Sequence, residues 1–423
     1  MSATTIRRCR SCQVKLPKTV YDFGTIPLGR LVNNRQDAVN APTVAMDLLE
    51  CENCGLVQLA NPINPELLYV NGSSLPSSAK VAQHEAFLAE WIVGKANMQR
   101  RNPVVLEVGC NDGRFLSRIG KLVPHAKLVG IDSAKVPFSV PGAVRYGRLF
   151  DDDAVRDFLI QHGPCDMFIA RHCLEHVPDV WKFVNLASQV VAPGAYVCIE
   201  VPDFGETVWH YDYSALWEEH CNYFDGPSLA HAIGGMGVFD PNFLNFDFSG
   251  GALVLLGHVG HGDRNEHFDD LAGFVRNRLA GPFGVRQMWN RKDRFKKRWL
   301  DATSTNPVVY GAGCRAATLI NLFGVGGIRG LCDDSWLKIG GMLPVSGGGA
   351  VEVFNAGAVE SQEWWLSVNE QAPKVAEKIQ NRVGDSVVYS INPPSGDIPG
   401  WWRTIAEADP DQLLLDFLRQ RDG

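Results

Sequence analysis

The stretch EEHCNYF, residues 218–224, combines side chains that can move a proton. Two carboxylates, Glu218 and Glu219, precede the imidazole of His220, and an aromatic pair, Tyr223 and Phe224, begins three residues later. Histidine titrates near neutral pH and can act as a general base, and a neighbouring carboxylate can orient its ring and stabilise the imidazolium. The residue types therefore predict a proton-transfer site, whereas an ordinary solvated loop is the alternative.

Size and composition limit what kind of protein carries this stretch. With 423 residues the chain is too long for one core and is expected to fold as two or three domains. Its net charge of −7 gives no general attraction to nucleic acid or to anionic membranes. No apolar run approaches the roughly 20 residues of a membrane span, and MSATTIRRCRSC lacks the apolar segment of a signal peptide. Since eleven cysteines without such a signal indicate a reducing compartment, we expect a cytoplasmic protein with no nucleic-acid or membrane partner.

Four of the cysteines form two close pairs, Cys9 with Cys12 and Cys51 with Cys54. A C-x2-C pair on a tight turn directs two thiolates at one metal ion, and two such turns complete a tetrahedron around zinc. The segment between the pairs is longer than the usual ~15–20 residues, so we expect it to fold as an excursion. Four thiolates leave no open coordination position, which predicts a structural zinc. Redox pairs or unpaired core thiols are the alternative.

The middle of the chain reads as alternating strands and helices. Residues 103–113, PVVLEVGCNDG, give an apolar strand and a glycine-rich turn, and RFLSRIGKL then has helical spacing. Such a turn allows close approach of a ligand to the backbone at a helix N-terminus. The next strand, KLVGID, ends in Asp132, an acid placed to accept hydrogen bonds from ribose hydroxyls. Two further strand-like stretches, CDMFIAR and GAYVCIEV, complete a pattern that predicts a parallel sheet wound on both sides.

In this order, LEVGCNDG, VGIDSA, CDMFIARHCLEHVPD and APGAYVCIEVPD resemble the motif set of class I S-adenosylmethionine-dependent methyltransferases. The resemblance implies an α/β fold with a Rossmann-like core. It implies that Glu107 and the turn containing Gly109, Asn111 and Gly113 hold the methionine part of the cofactor, and that Asp132 holds the ribose.

Three more side chains are assigned to the cofactor by the same resemblance. Asp151, or its neighbour Asp152, is expected to contact adenine, and Arg171 ends the third strand beside the cofactor. His176, in the LEHV stretch, is expected to close the cofactor pocket, and it is also a second candidate for proton transfer.

The order of parts is more specific than any one motif. The four-cysteine module, LEVGCNDG, IARHCLEHVPD, IEVPD, the acid/histidine stretch, SGGAL and a late YGAG turn resemble the sugar C-methyltransferases that act on nucleotide-linked 4-keto sugars. That family implies three domains: a zinc module at 1–70, a methyltransferase core at 71–285 and a C-terminal α/β domain at 286–423 that helps to hold the nucleotide-sugar. It also implies S-adenosylmethionine and zinc as cofactors, a monomer or homodimer, and a role in natural-product or surface-glycan biosynthesis.

The resemblance also gives the opening stretch a role. A Tyr-His-Glu-His run in the family carries the base at its last position, which corresponds to His220, while Glu219 matches the acid and Trp217 replaces the tyrosine. Methyl transfer to carbon needs removal of a proton next to a ketone, and we expect His220 to remove it while Glu219 orients the ring. The enolate oxygen then needs a donor, for which His172, Tyr223 and a backbone N–H are candidates.

Two other functions are compatible with these motifs. A methyltransferase of the same architecture could act on a different small keto compound, or on oxygen or nitrogen, where less of the acid/histidine machinery is needed. A non-catalytic nucleotide-binding scaffold could keep the fold, although an intact LEVGCNDG turn and Asp132 would then serve no purpose.

Overall fold

The computed structural model describes residues 7–63, 79–96, 98, 102–246, 250–260, 284–368 and 371–392. The chain forms two compact units, each assembled from separate segments. The first unit comprises Met1–Val20, Leu48–Gly205 and Glu219–Pro282, and the second comprises Tyr21–Asp47, Glu206–Glu218 and Phe283–Gly423. The division into domains at 70 and 285 stays a prediction, and the first of these boundaries lies outside the described residues.

Strands and helices alternate along much of the described chain. In chain order they are β1 (Tyr21–Pro27), α1 (Arg35–Val39), β2 (Thr43–Glu50), β3 (Val57–Leu59), α2 (Ala79–Ala96), β4 (Val104–Val108), α3 (Arg114–Leu122), β5 (Lys127–Ile131), β6 (Val144–Tyr146), α4 (Asp152–His162), β7 (Cys165–Arg171), α5 (Val180–Val190), β8 (Val191–Pro202), α6 (Phe204–Trp209), β9 (Asn222–Tyr223), α7 (Gly226–Gly234), β10 (Val238–Phe246), β11 (Ala252–Val259), α8 (Val285–Ala302), β12 (Val308–Tyr310), α9 (Cys314–Phe323), β13 (Gly330–Asp333), β14 (Met342–Val345), β15 (Gly349–Asn355), β16 (Glu363–Leu366), α10 (Ala372–Val383) and β17 (Val387–Ser390).

A seven-stranded sheet with the order β10-β11-β8-β7-β4-β5-β6 organises the first unit. Strands β4 to β8 run parallel, and β11 and β10 add antiparallel at one edge. All five residues of β4 are buried, as expected for a strand covered on both faces. Leu106 packs in one cluster with residues of α4, α5 and α7, whereas its neighbour Val105 packs in another with residues of α2 and α3. The predicted doubly wound α/β fold of the core is therefore confirmed.

The strand order reverses between β4 and β7, because the chain continues from β4 to β5 on one side and later returns to β7 on the other. Ligands of open parallel sheets bind at the carboxyl ends of the strands at such a reversal. The turn at 109–113 leaves β4 at this point, and Arg171 is the last residue of β7. The fold thus places this turn and Arg171 where ligands of such sheets bind, and their contact with the cofactor stays a prediction.

A six-stranded sheet with the order β14-β15-β13-β12-β16-β17 organises the second unit. Its strands are parallel except for β14, which pairs antiparallel with β15. The predicted strand, glycine turn and helix at 308–324 correspond to β12, a turn at Gly311 and the buried helix α9. This unit also has α/β architecture, as predicted for the C-terminal part of the chain.

Among the residues that the structure describes, no helix is both long and apolar enough to cross a bilayer.

Candidate functional site

The four paired cysteines converge at one point of the first unit. Cys9 Sγ lies 3.5 Å from Cys54 Sγ, and Cys12 Sγ lies 3.5 Å from Cys51 Sγ. All four sulfur atoms lie within 4.8 Å of one another. Thiolates bound tetrahedrally to zinc at ~2.3 Å would be ~3.8 Å apart, so this spacing fits a single zinc ion.

Backbone hydrogen bonds build the two cysteine turns. Gln13 N donates to Cys9 O at 3.0 Å, and Gly55 N donates to Cys51 O at 2.8 Å. Both turn residues have positive φ, 61° for Gln13 and 74° for Gly55, which lets the chain reverse. Gln58 Nε2 also donates to Cys9 Sγ at 3.4 Å. The turns and this N–H···S contact hold the sulfur atoms in a metal-binding arrangement.

The turn after β4 has a conformation that brings backbone groups close to a ligand. Gly109, Asn111 and Gly113 have φ values of 78°, 48° and 80°. Asp132 braces this turn, because its Oδ2 accepts from Asn111 N at 2.7 Å and its Oδ1 accepts from Ala134 N at 2.6 Å. Each carboxylate oxygen has two acceptor positions, so these bonds leave acceptor capacity for ribose hydroxyls. Asp132 therefore keeps acceptor capacity for its expected role, and its contact with the ribose stays a prediction.

Glu107 provides a test of whether the site fits the predicted cofactor. This residue of β4 is 2% exposed, and its Oε2 is buried with no hydrogen-bond partner within the described part of the chain. Burial raises the pKa of Glu107 to about 8, although the charge of Arg171 opposes the rise. A buried carboxylate oxygen without a donor is costly, and the ammonium group of the methionine part of S-adenosylmethionine would supply one. Glu107 thus fits that cofactor.

Arg171 lies in a buried charge cluster centred on Glu200, which we name the Glu200 cluster: His84, Arg171, His172 and Glu200. Arg171 Nε donates to Glu200 Oε2 at 2.6 Å, and the guanidinium lies 4.0 Å from the ring centroid of Phe115. His84 Nε2 lies 2.5 Å and His172 Nε2 3.4 Å from Glu200 Oε1. Burial acts to raise the pKa of Glu200, but Arg171 and His172 hold it well below its ordinary value. Arg171 is therefore bonded to the protein's own carboxylate, and its contact with the cofactor stays a prediction.

His172 bridges two carboxylates. Its Nδ1 lies 3.6 Å from Glu175 Oε1, and its Nε2 faces Glu200. Burial acts to lower the pKa of His172, but Glu200 and Glu175 outweigh burial and raise it to about 10. At neutral pH this imidazole is charged, so it is a donor and not a base. Its suggested role as the enolate donor is chemically allowed and stays a prediction.

Asp151 caps a helix. Its Oδ1 accepts from Ala154 N at 2.8 Å at the start of α4, and Asp152 pairs with Lys182 at 2.8 Å. Both interactions are structural, and contact with adenine stays a prediction for either aspartate.

The predicted proton-transfer residues meet where the loop after β7 lies against residues 219–223. His176 Nδ1 donates to the backbone oxygen of Glu219 at 2.9 Å, and the rings of His176 and His220 are 4.9 Å apart. The ring of Tyr223 lies 6.3 Å from that of His220. One carboxylate oxygen of Glu175 and one ring nitrogen of each histidine all lie within 4.8 Å of one another. We name Glu175, His176 and His220 the histidine cluster.

Hydrogen bonds tie this region to the zinc module. Strand β9 pairs antiparallel with β3, which follows the second cysteine pair. Arg10 Nη1, between the first two zinc ligands, donates to Cys221 O at 3.4 Å. Asn222 Nδ2 donates to Leu174 O at 3.1 Å and to Val177 O at 2.7 Å. His220 is thus held between the zinc module and the loop after β7.

The two adjacent acids of the opening stretch have different surroundings. Glu218 belongs to the second unit, is 1% exposed, and accepts from Gly29 N at 2.7 Å through Oε1. Glu219 begins the next segment of the first unit. The two carboxylates thus lie in different compact units, and the role of Glu219 in orienting His220 stays a prediction.

Three buried polar residues of the site were missed by sequence reasoning: His84, Glu175 and Glu200. Glu200 lies within the apolar strand VCIEV, and Glu175 lies beside His176 in LEH. A carboxylate inside an apolar strand, or next to a candidate histidine, is the sequence feature that could have identified these two residues. His84 lies on α2 with no local sign of its role.

Comparisons with known proteins match both modules. Residues 82–237 match the family described as "Methyltransferase domain", and residues 9–69 match the family described as "Putative zinc binding domain". The chain is 26% identical over 357 residues to "C-methyltransferase NovU" of Streptomyces niveus, covering 81% of this chain and 84% of the relative. It is 28% identical over 103 residues to "Methyltransferase str2" of Strobilurus tenacellus, covering 24% of this chain and 36% of the relative.

Solved structures of methyltransferases are also similar over part of the chain. The CurJ carbon methyltransferase matches with a TM-score of 0.35 and 12% identity, covering 44% of this chain and 56% of that one. Human N-acetylserotonin methyltransferase matches with a TM-score of 0.32 and 16% identity, covering 44% of this chain and 57% of that one. The chain thus spans little more than half the length of these two structures.

The methyltransferase match covers β4 to β7, where the glycine turn and the unpartnered oxygen of Glu107 fit S-adenosylmethionine. The zinc-binding match covers all four converging cysteines. The chain is therefore an S-adenosylmethionine-dependent methyltransferase with an N-terminal zinc-binding module.

Proposed function

We propose that the enzyme transfers a methyl group to the carbon next to a ketone of a nucleotide-linked deoxy- or amino-sugar, with His220 as the base. The observation that carries this proposal is the histidine cluster beside Tyr223, at the carboxyl end of the sheet. Transfer to an oxygen or nitrogen that already has a lone pair needs less proton-transfer machinery. The similarity to a C-methyltransferase over 81% of the chain supports transfer to carbon.

The residues of the site have separate tasks in this reaction. Bound S-adenosylmethionine supplies an electrophilic methyl group. His220 removes the proton from the carbon next to the ketone, and the bonding electrons remain on the substrate as an enolate. Tyr223, His172 or a backbone N–H donates to the enolate oxygen. After transfer, the imidazolium of His220 releases its proton to solvent. A positioned general base contributes roughly 10²–10⁴-fold to such a step.

The second unit supplies a candidate nucleotide-binding turn. Gly311 follows β12 with φ of 103°, and a Cβ there would lie 2.9 Å from Ser367 O. Ala312 N donates to Asp333 Oδ2 at 3.0 Å, and Lys338 Nζ donates to the same oxygen at 2.8 Å. A glycine turn between a parallel strand and a helix suits a nucleotide or its phosphates. We assign the nucleotide part of the substrate to this unit.

Mass spectrometry in D₂O with a panel of nucleotide-linked 4-keto sugars tests the proposal. We expect the wild-type enzyme to methylate a panel member and, without cofactor, to exchange a hydrogen next to the ketone for deuterium. His220→Asn should lose both activities. His125→Asn, which changes an exposed histidine of the first unit, is the matched control and should retain both.

Absence of exchange and methylation on every keto sugar, with S-adenosylmethionine still bound, would refute the sugar substrate. Exchange that persists in His220→Asn would instead refute His220 as the base.

A further inference from the structure

We propose that Glu175, and not Glu219, is the carboxylate that positions the histidine cluster and balances the charge that forms on it. The inference rests on the proposed function, since it concerns the base of that reaction. Glu219 meets His176 through its backbone oxygen, at 2.9 Å from Nδ1. The carboxylate that lies within 4.8 Å of nitrogens from both imidazoles is that of Glu175.

Glu175 is buried with an unused acceptor. The residue is 2% exposed, and its Oε1 faces His172 Nδ1 at 3.6 Å. Its Oε2 is buried and has no hydrogen-bond partner in the described ranges. A buried carboxylate oxygen without a donor is destabilising, and an N–H donor that reached this oxygen would relieve that cost. Glu175 is therefore better matched to the cluster after His220 has taken a proton.

The hydrogen bond of His176 defines its role in the cluster. A backbone oxygen can only accept, so His176 Nδ1 carries the proton in the bond to Glu219 O. The neutral ring then has its lone pair on Nε2. His176 is fixed in one tautomer by the backbone, while Glu175 supplies the negative charge. A positioned base needs both a fixed tautomer and a nearby negative charge.

Other titratable groups surround the cluster. His172 faces Glu175 from the same loop, and Tyr223 faces His220 from β9. Two thiols, those of Cys173 and Cys221, interact electrostatically with Glu175. Burial, and to a smaller extent the charge of Glu175, raises the pKa values of both thiols above the ordinary range, so both are neutral at pH 7. Arg10 adds a positive charge near Cys221. The Glu175 carboxylate is thus placed between the charged ring of His172 and the two imidazoles of the histidine cluster, where it can stabilise an imidazolium at His220.

An NMR titration of the zinc-loaded full chain with labelled histidines tests this without substrate. The His220 signal is assigned by its loss in His220→Asn. We expect Glu175→Gln to lower the pKa of His220 by about one unit or more, because an opposite charge within ~4–6 Å raises an imidazole pKa by that order. Glu219→Gln should lower it less. Glu90→Gln, which removes an exposed carboxylate of the same unit, should leave it in place.

Kinetics give a second readout. Loss of Glu175 should move the acidic limb of the kcat/KM profile to lower pH, since the base loses the anion that raises its pKa. It should lower kcat about tenfold or more with little change in KM, because the role concerns proton transfer. Glu175→Asp keeps the charge and should recover part of the lost kcat. It also serves as the test variant if Glu175→Gln does not fold.

Several results would overturn the inference. An unchanged His220 pKa in Glu175→Gln would do so, as would a larger shift in Glu219→Gln. Visible Co²⁺ absorption bands that appear beyond the cysteine site and vanish in Glu175→Gln would show a metal site there instead. A shifted His220 pKa in an enzyme that methylates none of the keto sugars would support the positioning role while refuting the proposed substrate.

Discussion

Replacing Glu200 by Gln tests how far the first unit depends on one buried charge. Glu200 is 0% exposed, and it accepts from Arg171 at 2.6 Å and from His84 at 2.5 Å. His172 lies 3.4 Å from the same carboxylate. The amide keeps the size of the side chain but removes the negative charge, so Arg171 and His172 would remain buried without their counter-ion.

The expected magnitude follows from that loss. Removing one partner of a buried ion pair costs roughly 3–5 kcal/mol. The amide oxygen of Gln can still accept from one donor, so we take the lower end, about 3 kcal/mol. A domain of ~150–250 residues loses ~2–4 °C in Tm for each kcal/mol, which predicts a decrease of ~6–12 °C.

Thermal unfolding followed by circular dichroism measures the effect. Asp153→Asn is the control, because Asp153 pairs with Arg156 at 2.8 Å on the surface, with both side chains more than half exposed. A surface pair of this kind contributes at most ~1 kcal/mol, so the control should unfold within about 4 °C of wild type. If Glu200→Gln unfolded within that same interval, the assignment of a stabilising role to the Glu200 cluster would be wrong.

The pH dependence provides an independent check on the same variant. The folded pKa of His172 is about 10, above its ordinary value of 6.5. A raised histidine pKa stabilises the folded state fully below pH 6.5, and that contribution is lost as pH rises through 10. We therefore expect the Tm difference between wild type and Glu200→Gln to narrow from pH 7 to pH 10. A difference that stayed constant would show that His172 is not charged by Glu200.

Two further predictions concern the cofactor site. Glu107→Gln should weaken S-adenosylmethionine binding measured by calorimetry. Wild-type affinity should rise about 25-fold from pH 6 to pH 7.5, because a carboxyl group of pKa about 8 ionises over this interval. The variant should lack this rise. Gly113→Ala should destabilise the enzyme and weaken cofactor binding, because Gly113 has a φ of 80° and a Cβ there would lie 2.4 Å from Phe138. Gly142→Ala is the control: Gly142 has a similar φ of 75° but open space around it, so an alanine there should cause backbone strain without a clash. Equal effects of the two alanines on cofactor affinity would contradict the close packing at Gly113.

Local sequence predicted the elements better than it predicted the partners of buried charges. The apolar run of β4, its glycine turn and the acid after β5 are short-range signals, and the structure places them at the reversal of strand order. The zinc ligands could also be predicted from local sequence, because each cysteine pair forms its own turn. The link between His84 and Glu200 joins residues 116 positions apart, and nothing near either residue indicates the other.

The acid/histidine stretch also shows that local sequence does not predict the long-range contacts of polar side chains. Glu218 and Glu219 are adjacent in the sequence, yet they belong to different compact units. Glu175 was overlooked because its relation to His220 depends on how the loop after β7 packs on residues 219–223. Periodicity and motif spacing carry no information about such a contact.

The pairing of β3 with β9 restricts how this enzyme can be recombined. The second cysteine pair leads directly into β3, and β9 begins two residues after His220. A chimaera that exchanged only the zinc module would set a foreign β3 and a foreign counterpart of Arg10 against the resident base stretch. Exchange of substrate preference between such enzymes should therefore succeed when the cysteine module and residues 219–223 are transferred together, although these two segments are distant in the sequence.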